Sequence, residues 1–189
     1  MTMKKEAGKN LLIVYREGGI HINGEKHEDP TFKPEWSYCN DKREGLRKCN
    51  RGNHVFFHTT KVDTKSGEKQ RYIKAYFVVK DMGLGEQIVP KYKIKGDASH
   101  AKHIPNHYVI VGDEKLSKEL KGLGLKFDRA LAEKLTFDPP KKIKFGITNK
   151  DGRRLSDLEC ISSATRKIRA LSDDDVKVLF GEIDRQGLR

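Results

Sequence analysis

The sequence predicts an α+β domain built on a twisted, mainly antiparallel sheet that closes or nearly closes, with helices on its flanks. Three observations carry this. Short apolar runs rich in β-branched and aromatic residues recur at 11–15, 55–58, 72–79 and 108–111, each bounded by Gly, Asn or Asp. Helical signals are confined to short segments between them and to the last twenty residues. At 189 residues the chain suits one domain with a real core, residues 11–189, behind a basic flexible tail at 1–10.

Leu11-Leu12-Ile13-Val14-Tyr15 reads as a buried first strand ended by Gly18-Gly19. Residues 21–34 are polar with two prolines, a loop long enough to suggest a function. It delivers the chain to Trp36, the single tryptophan. A basic helix is expected at 41–49, anchored by Leu46 and faced by Lys42, Arg43, Arg47 and Lys48. A polar turn, Asn50 to Asn53, leads to the second strand, Val55 to His58. The third, Tyr72 to Val79, is expected to place Tyr72, Lys74 and Tyr76 on one face and Ile73, Ala75 and Phe77 on the other.

Residues 83–105 read as a second long basic irregular segment, with Tyr92 between Lys91 and Lys93. Tyr108 to Val111 forms a fourth strand. Asp128 is placed to cap a helix over 129–135 that turns Leu131 and Leu135 inward. Lys141 to Ile147 alternates basic and apolar residues and reads as a half-exposed strand. Ser172-Asp173-Asp174-Asp175 opens a final helix whose inner face carries Val176, Leu179, Phe180 and Ile183.

The charge balance narrows the function. Thirty-nine Lys and Arg against 27 Asp and Glu leave +12, which favours a polyanionic partner. Lysine-rich, charge-dense chains are also common in thermophiles, so part of the surplus has a second explanation. No apolar run has the length of a membrane span, and no signal peptide opens the chain, so the expected location is cytoplasmic, away from membranes. Cys39, Cys49 and Cys160 are too few and scattered for a disulfide framework. His100, His103 and His107 lack the paired spacing of a zinc site, and Asp157-Leu158-Glu159 lacks a following lysine at nuclease spacing. No phosphate-cradling Gly-rich loop precedes a helix. No cofactor or metal is expected, and the chain is read as a binder rather than an enzyme.

A lone Trp ahead of a basic helix that feeds a strand can hold a flat base beside a phosphate backbone; a core Trp beside a solvated helix is the plain alternative. The order of these features resembles the YTH and EVE families of the PUA-like barrels. Trp36-Ser37, Leu46, Gly52 and Val55 fall where those families carry a Trp-Ser or Trp-Gly pair, a Leu and a polar turn into a strand. Phe145-Gly146-Ile147-Thr148-Asn149-Lys150 is similar to the EVE run before its last helix. The resemblance implies a PUA-like (YTH/EVE-type) twisted barrel of five to six strands. It also implies a flipped modified base, N6-methyladenine in DNA, held in an aromatic cage.

By that resemblance Trp36 and Ser37 form one wall, Tyr92 supplies the second aromatic, with His100, His103 and His107 as rivals, and Tyr15 and Arg16 touch the base or its phosphate. Lys42, Arg43, Lys91, Lys93, Lys150, Arg153 and Arg154 are the expected backbone contacts. The implied setting is the targeting module of a modification-dependent restriction system of the McrB type, with methylated double-stranded DNA as ligand and a motor or nuclease partner. An RNA-binding or RNA-modifying barrel, or a small nuclease, is the alternative.

Overall fold

The computed structural model describes residues 8–17, 20–22, 25–27, 30–40, 43–62 and 67–189, with side chains at all of these except 20–22, 25–27 and 43–44. In chain order the strands and helices are β1 (Asn10–Val14), β2 (Ile20–Ile22), β3 (Glu25–His27), β4 (Ser37–Asn40), α1 (Arg43–Leu46), β5 (His54–Val62) and β6 (Lys69–Leu84). There follow α2 (Gly85–Tyr92), a 3-10 helix (Asp97–Lys102), β7 (Tyr108–Gly112), β8 (Lys118–Glu119), β9 (Leu125–Lys126), α3 (Arg129–Ala132), α4 (Asp157–Ala164), β10 (Arg169–Leu171) and α5 (Asp173–Arg185).

The α+β class expected from the sequence is the one observed. The main sheet has eight strands in the order β10-β1-β5-β6-β7-β4, and β8 and β9 also pair with β6. Since β5 takes one edge of β6, the other edge receives β7, β8 and β9 in succession. One pair, β1 with β5, is parallel, so the sheet is mixed. Where they pair, Leu11–Ile13 and Val55–Phe57 are apolar and buried on both faces, the pattern that parallel pairing favours. The expected barrel closure is not formed: among the described strands the sheet stays open, with β10 and β4 at its edges. Part of the 21–34 loop is instead a small hairpin of β2 and β3.

β6 organises the rest, because it is bulged twice. Phe57 pairs with Ala75 but His58 pairs with Ile73, so Lys74 has no partner and the alternation of faces reverses there. Ile73 and Tyr76 therefore share one core cluster with Phe56, while Phe77 and Val79 share another with Val55 and Phe57. This corrects the simple alternation expected over 72–77. Toward the end of β6, Val79 pairs with Gly112 and Asp81 with Val111, skipping Lys80. The second reversal carries Met82 to the second cluster and turns Asp81 to the opposite side, where it is 4% exposed.

The first cluster lies under α5, whose Val176, Leu179 and Ile183 pack with Leu131 and Leu135. Asp128 caps α3 by accepting from the Leu131 N–H, as the sequence indicated. Three segments differ from expectation. Residues 83–105 are largely helical, holding α2 and the 3-10 helix. Residues 141–147 form no strand: Ile143 is buried, but the run meets no neighbouring strand among the described residues, and alternation alone cannot supply ladder partners. α4 was not anticipated, although Ser156 and Glu159 form the capping box that starts it.

The N-terminus of α5 is fixed by Asp175, a buried carboxylate with four donors. It receives the N–H of Ser172 (2.9 Å), the N–H and hydroxyl of Thr136 (2.7 and 3.3 Å) and the N–H of Phe137 (2.9 Å). Phe137 has φ 59°, a backbone region that bulky residues rarely occupy, so these bonds hold a turn that would not persist unaided. Asp175→Asn presents an amide to donors that need an acceptor, and it is expected to cost about 2–4 kcal/mol. Urea denaturation checks this; an unchanged midpoint would show that the turn holds itself.

Candidate nucleic-acid interface

Trp36 is set by a tight turn. The N–H groups of Glu35 and Trp36 both donate to the Phe32 carbonyl, and Thr31 and Ser37 exchange two backbone bonds across the turn. The Glu35 carboxylate accepts from the Ser37 hydroxyl (3.0 Å) and from the N–H groups of Lys95 (2.8 Å) and Gly96 (3.0 Å), tying the turn to the segment before the 3-10 helix. Trp36 itself has φ 47°, and its carbonyl accepts from Gly112 at 2.7 Å.

The indole is 1% exposed, packed edge-on against Phe77 at 5.6 Å and tilted against Phe32 at 6.3 Å. Phe32 also meets Tyr15 at 5.8 Å and Phe57 at 6.1 Å. Tyr15, Trp36 and Ser37 are thus brought to one neighbourhood, with the Phe32 ring between the first two. Tyr92 is not part of it. It packs on a different cluster, with Ile88, Val89 and Ile94.

Tyr92 and Lys91 serve Asp81 instead. The carboxylate accepts from Lys91 Nζ (2.6 Å), Arg51 Nη2 (2.8 Å), Tyr92 Oη (2.9 Å) and the Met82 N–H (3.0 Å). Burial alone would raise the acid, but the bonds from Lys91, Arg51 and Tyr92 outweigh it and hold the carboxyl well below the usual range. The ammonium groups of Lys91 and Lys80 lie 5.3 and 5.7 Å from the Tyr92 ring centre.

Of the other expected contacts, Arg153 is committed to Glu159 through two bonds of 3.1 and 2.6 Å. Arg16, Lys93, Lys150 and Arg154 are exposed. Lys42 lies outside the described residues, and for Arg43 only the backbone in α1 is described.

A concentration of cations that the sequence only half indicated lies beside the 141–154 segment. Two adjoining clefts, of about 470 and 250 Å³, share Phe137, Lys141 and Arg169. Lys142 and Lys144 line the larger and Lys48 the smaller. None of these five cations pairs with a carboxylate among the described residues. The one acid at the clefts, Asp138, is already held by Lys9 at 3.0 Å. Arg169 is oriented by a bond from its Nε to the Ala164 carbonyl. The basic segment was visible in the sequence; that Lys48 and Arg169 join it was not, because they reach the clefts from the turn after α1 and from β10, apart from it along the chain.

Comparison with family models, curated proteins and solved structures returns no match. The residues must therefore speak for themselves. Besides the clefts they include one further chemical pairing, Cys39 Sγ at 3.4 Å from His100 Nε2, with His100 Nδ1 against the Asp97 carbonyl. Cys39 is buried between β4 and the 3-10 helix, and a nucleophile needs an approach to substrate that such a position does not give. No group of three or more His, Cys, Asp or Glu side chains with metal-binding geometry occurs among the described residues.

The Asp81 cluster makes a pH prediction. A carboxyl whose folded-state pKa is depressed contributes stability above its unfolded value, about 3.9 for Asp, and loses it as the pH falls through the folded value. Asp81→Asn is expected to lower Tm at neutral pH and to flatten its decline below about pH 4. Thermal unfolding from pH 7 to 2 checks this, and parallel curves for both proteins would rule it out.

Proposed function

We propose that this chain binds nucleic acid, gripping the phosphate backbone along the two cationic clefts. The observation that supports it is the set of five cations, Lys48, Lys141, Lys142, Lys144 and Arg169, collected from three separate parts of the chain and left without carboxylate partners among the described residues. Like charges brought together repel, whereas some surface cations elsewhere on this molecule are matched with acids, as Lys134, Lys177 and Arg185 are. A polyanion is the ligand that relieves such a cluster, through counterion release. Lys150 and Arg154, on the turn that follows the cleft wall, extend the same surface.

The base-reading function implied by the YTH/EVE resemblance belongs to the same proposal. Its support is the Trp36 turn, where a bulky residue is held in a left-handed conformation beside Tyr15 and Ser37, as strained residues at binding sites often are. With the indole buried, a flipped N6-methyladenine enters only if Phe32 swings out. Phe32 is half-buried and is the ring that the base would replace. A chain of this kind is a targeting module, and the cutting or motor activity would belong to a partner protein.

Fluorescence polarisation with short duplexes, with and without one N6-methyladenine and at two salt concentrations, tests both parts. Lys141→Glu/Lys142→Glu is expected to weaken binding about tenfold or more and to reduce the salt slope by roughly one per lost phosphate contact. Unchanged binding and slope would remove the clefts from the interface. For the base, Phe32→Ala is expected to increase the preference for the methylated duplex, and the emission of the single tryptophan is expected to change on binding. Equal affinity for both duplexes in wild type and Phe32→Ala would leave a general nucleic-acid binder.

A further inference from the structure

Arg71, near the start of β6, is 8% exposed and has no acidic partner among the described residues. Its Nη1 bonds His58 Nδ1 at 2.8 Å and its Nε donates to Ser162 Oγ at 3.1 Å. Both partners are neutral. His58 is fully enclosed, and burial followed by the Arg71 charge holds its pKa well below the ordinary value, so Nδ1 accepts and Nε2 keeps the proton. Burial likewise lowers the Arg71 pKa with no acid to oppose it. Buried charges in proteins are normally paired, because an unpaired one is costly. Here the protein supplies hydrogen bonds that aim the guanidinium and leaves its charge unmatched.

The outer nitrogen, Nη2, has no partner among the described residues and is not sealed from solvent. Arg71 lines a cleft of about 570 Å³, within the range of small-molecule sites. Lys69 and Lys126 add positive charge to its walls, whereas Arg129 there is paired with Glu133 at 2.7 Å. Of the acids there, Asp128 is occupied in capping α3 and Asp157 lies 3.9 Å from Arg129; Glu68 is the third. Ala130, Leu158 and Ile161 give one side an apolar surface. An anion seated at Nη2 would complete the pairing that the fold lacks, and the apolar side would accept a flat ring.

We propose that this cleft is a second anion site, which takes the phosphate of a nucleotide, free or at the end of a strand, with Arg71 as its central donor and Lys126 at its rim. The site is independent of the cationic clefts at 141–144 and of the Trp36 turn.

Isothermal titration calorimetry tests it with adenosine monophosphate, adenosine, and an oligonucleotide carrying either a 5′-phosphate or a 5′-hydroxyl. The proteins are wild type, Arg71→Met, Lys126→Glu and Lys141→Glu/Lys142→Glu. Phosphate-dependent binding is expected in wild type, lost in Arg71→Met, weakened about tenfold in Lys126→Glu and unchanged in the double variant. Tighter binding of the nucleotide identifies a free ligand; tighter binding of the phosphorylated strand identifies a strand end. Arg71→Met removes an unmatched charge but also the donor to the buried His58 Nδ1, so it is expected to melt cooperatively with an unchanged far-UV circular dichroism spectrum, which separates lost binding from lost fold. Should that variant fail to fold, the exposed Lys126→Glu carries the test. Wild type that binds each phosphorylated probe no better than its unphosphorylated counterpart, or Lys126→Glu that binds as wild type does, overturns the proposal.

Discussion

The two register slips in β6 are the constraint on which the chemistry of this molecule depends. In an unbroken strand with Tyr76 facing the first cluster, Arg71 would turn away from His58. In an unbroken strand with Val79 facing the second, Asp81 would face that apolar cluster. Skipping Lys74 and Lys80 avoids both outcomes. Each slip leaves a lysine unpaired on the strand and sends a charged residue to a place built to receive it: Arg71 to a histidine, a serine and a cleft, and Asp81 to Arg51, Lys91 and Tyr92. The cost of two disrupted ladder positions is small beside that of burying either charge against apolar side chains.

The positive charge of the chain is unevenly used. Much of it is neutralised in local pairs such as Arg129 with Glu133 and Lys177 with Asp174. Exposed pairs of this type contribute little to stability, about 0–1 kcal/mol each, but they do settle which cations remain available. Two groups of the cations that remain lie around Lys141 to Lys144 and around Arg71. These two places differ in kind. The first is a set of exposed lysine ends with one oriented arginine, suited to a repeating polyanion. The second is a single guanidinium held rigidly by neutral partners, suited to one defined anionic group.

The sequence showed most of the first and fourth strands, only the apolar start of the second, the caps at Asp128 and Ser172, and the inward residues of α5, because these rest on local signals. It misassigned the faces of β6, since a bulge is a property of the pairing and leaves no mark on one strand read alone. It left 83–105 irregular because Pro90 and two glycines obscured α2. The site was legible in the same partial way. The basic 141–154 run stood out, but Lys48 and Arg169 join it only through folding. Arg153, which looked free, is paired with Glu159 six residues on, and Tyr92, which looked like a ligand wall, is a donor to Asp81. Arg71 and His58 read as ordinary strand residues, and only the register slip at Lys74 shows that they meet.

β1 lies between β5 on one side and β10 on the other, and β10 is Arg169–Leu171, contributed by the last part of the described chain. As the polypeptide leaves the ribosome, Leu11 to Val14 must wait for about forty residues to gain its first neighbour and for some 160 to gain its second. During that interval one of the most apolar strands of the protein presents an open row of amides and carbonyls, the kind of edge to which other chains add themselves. Synthesis, rather than the finished fold, is therefore the stage at which this molecule is most exposed to aggregation, and the short β10 serves as the cover that ends the hazard.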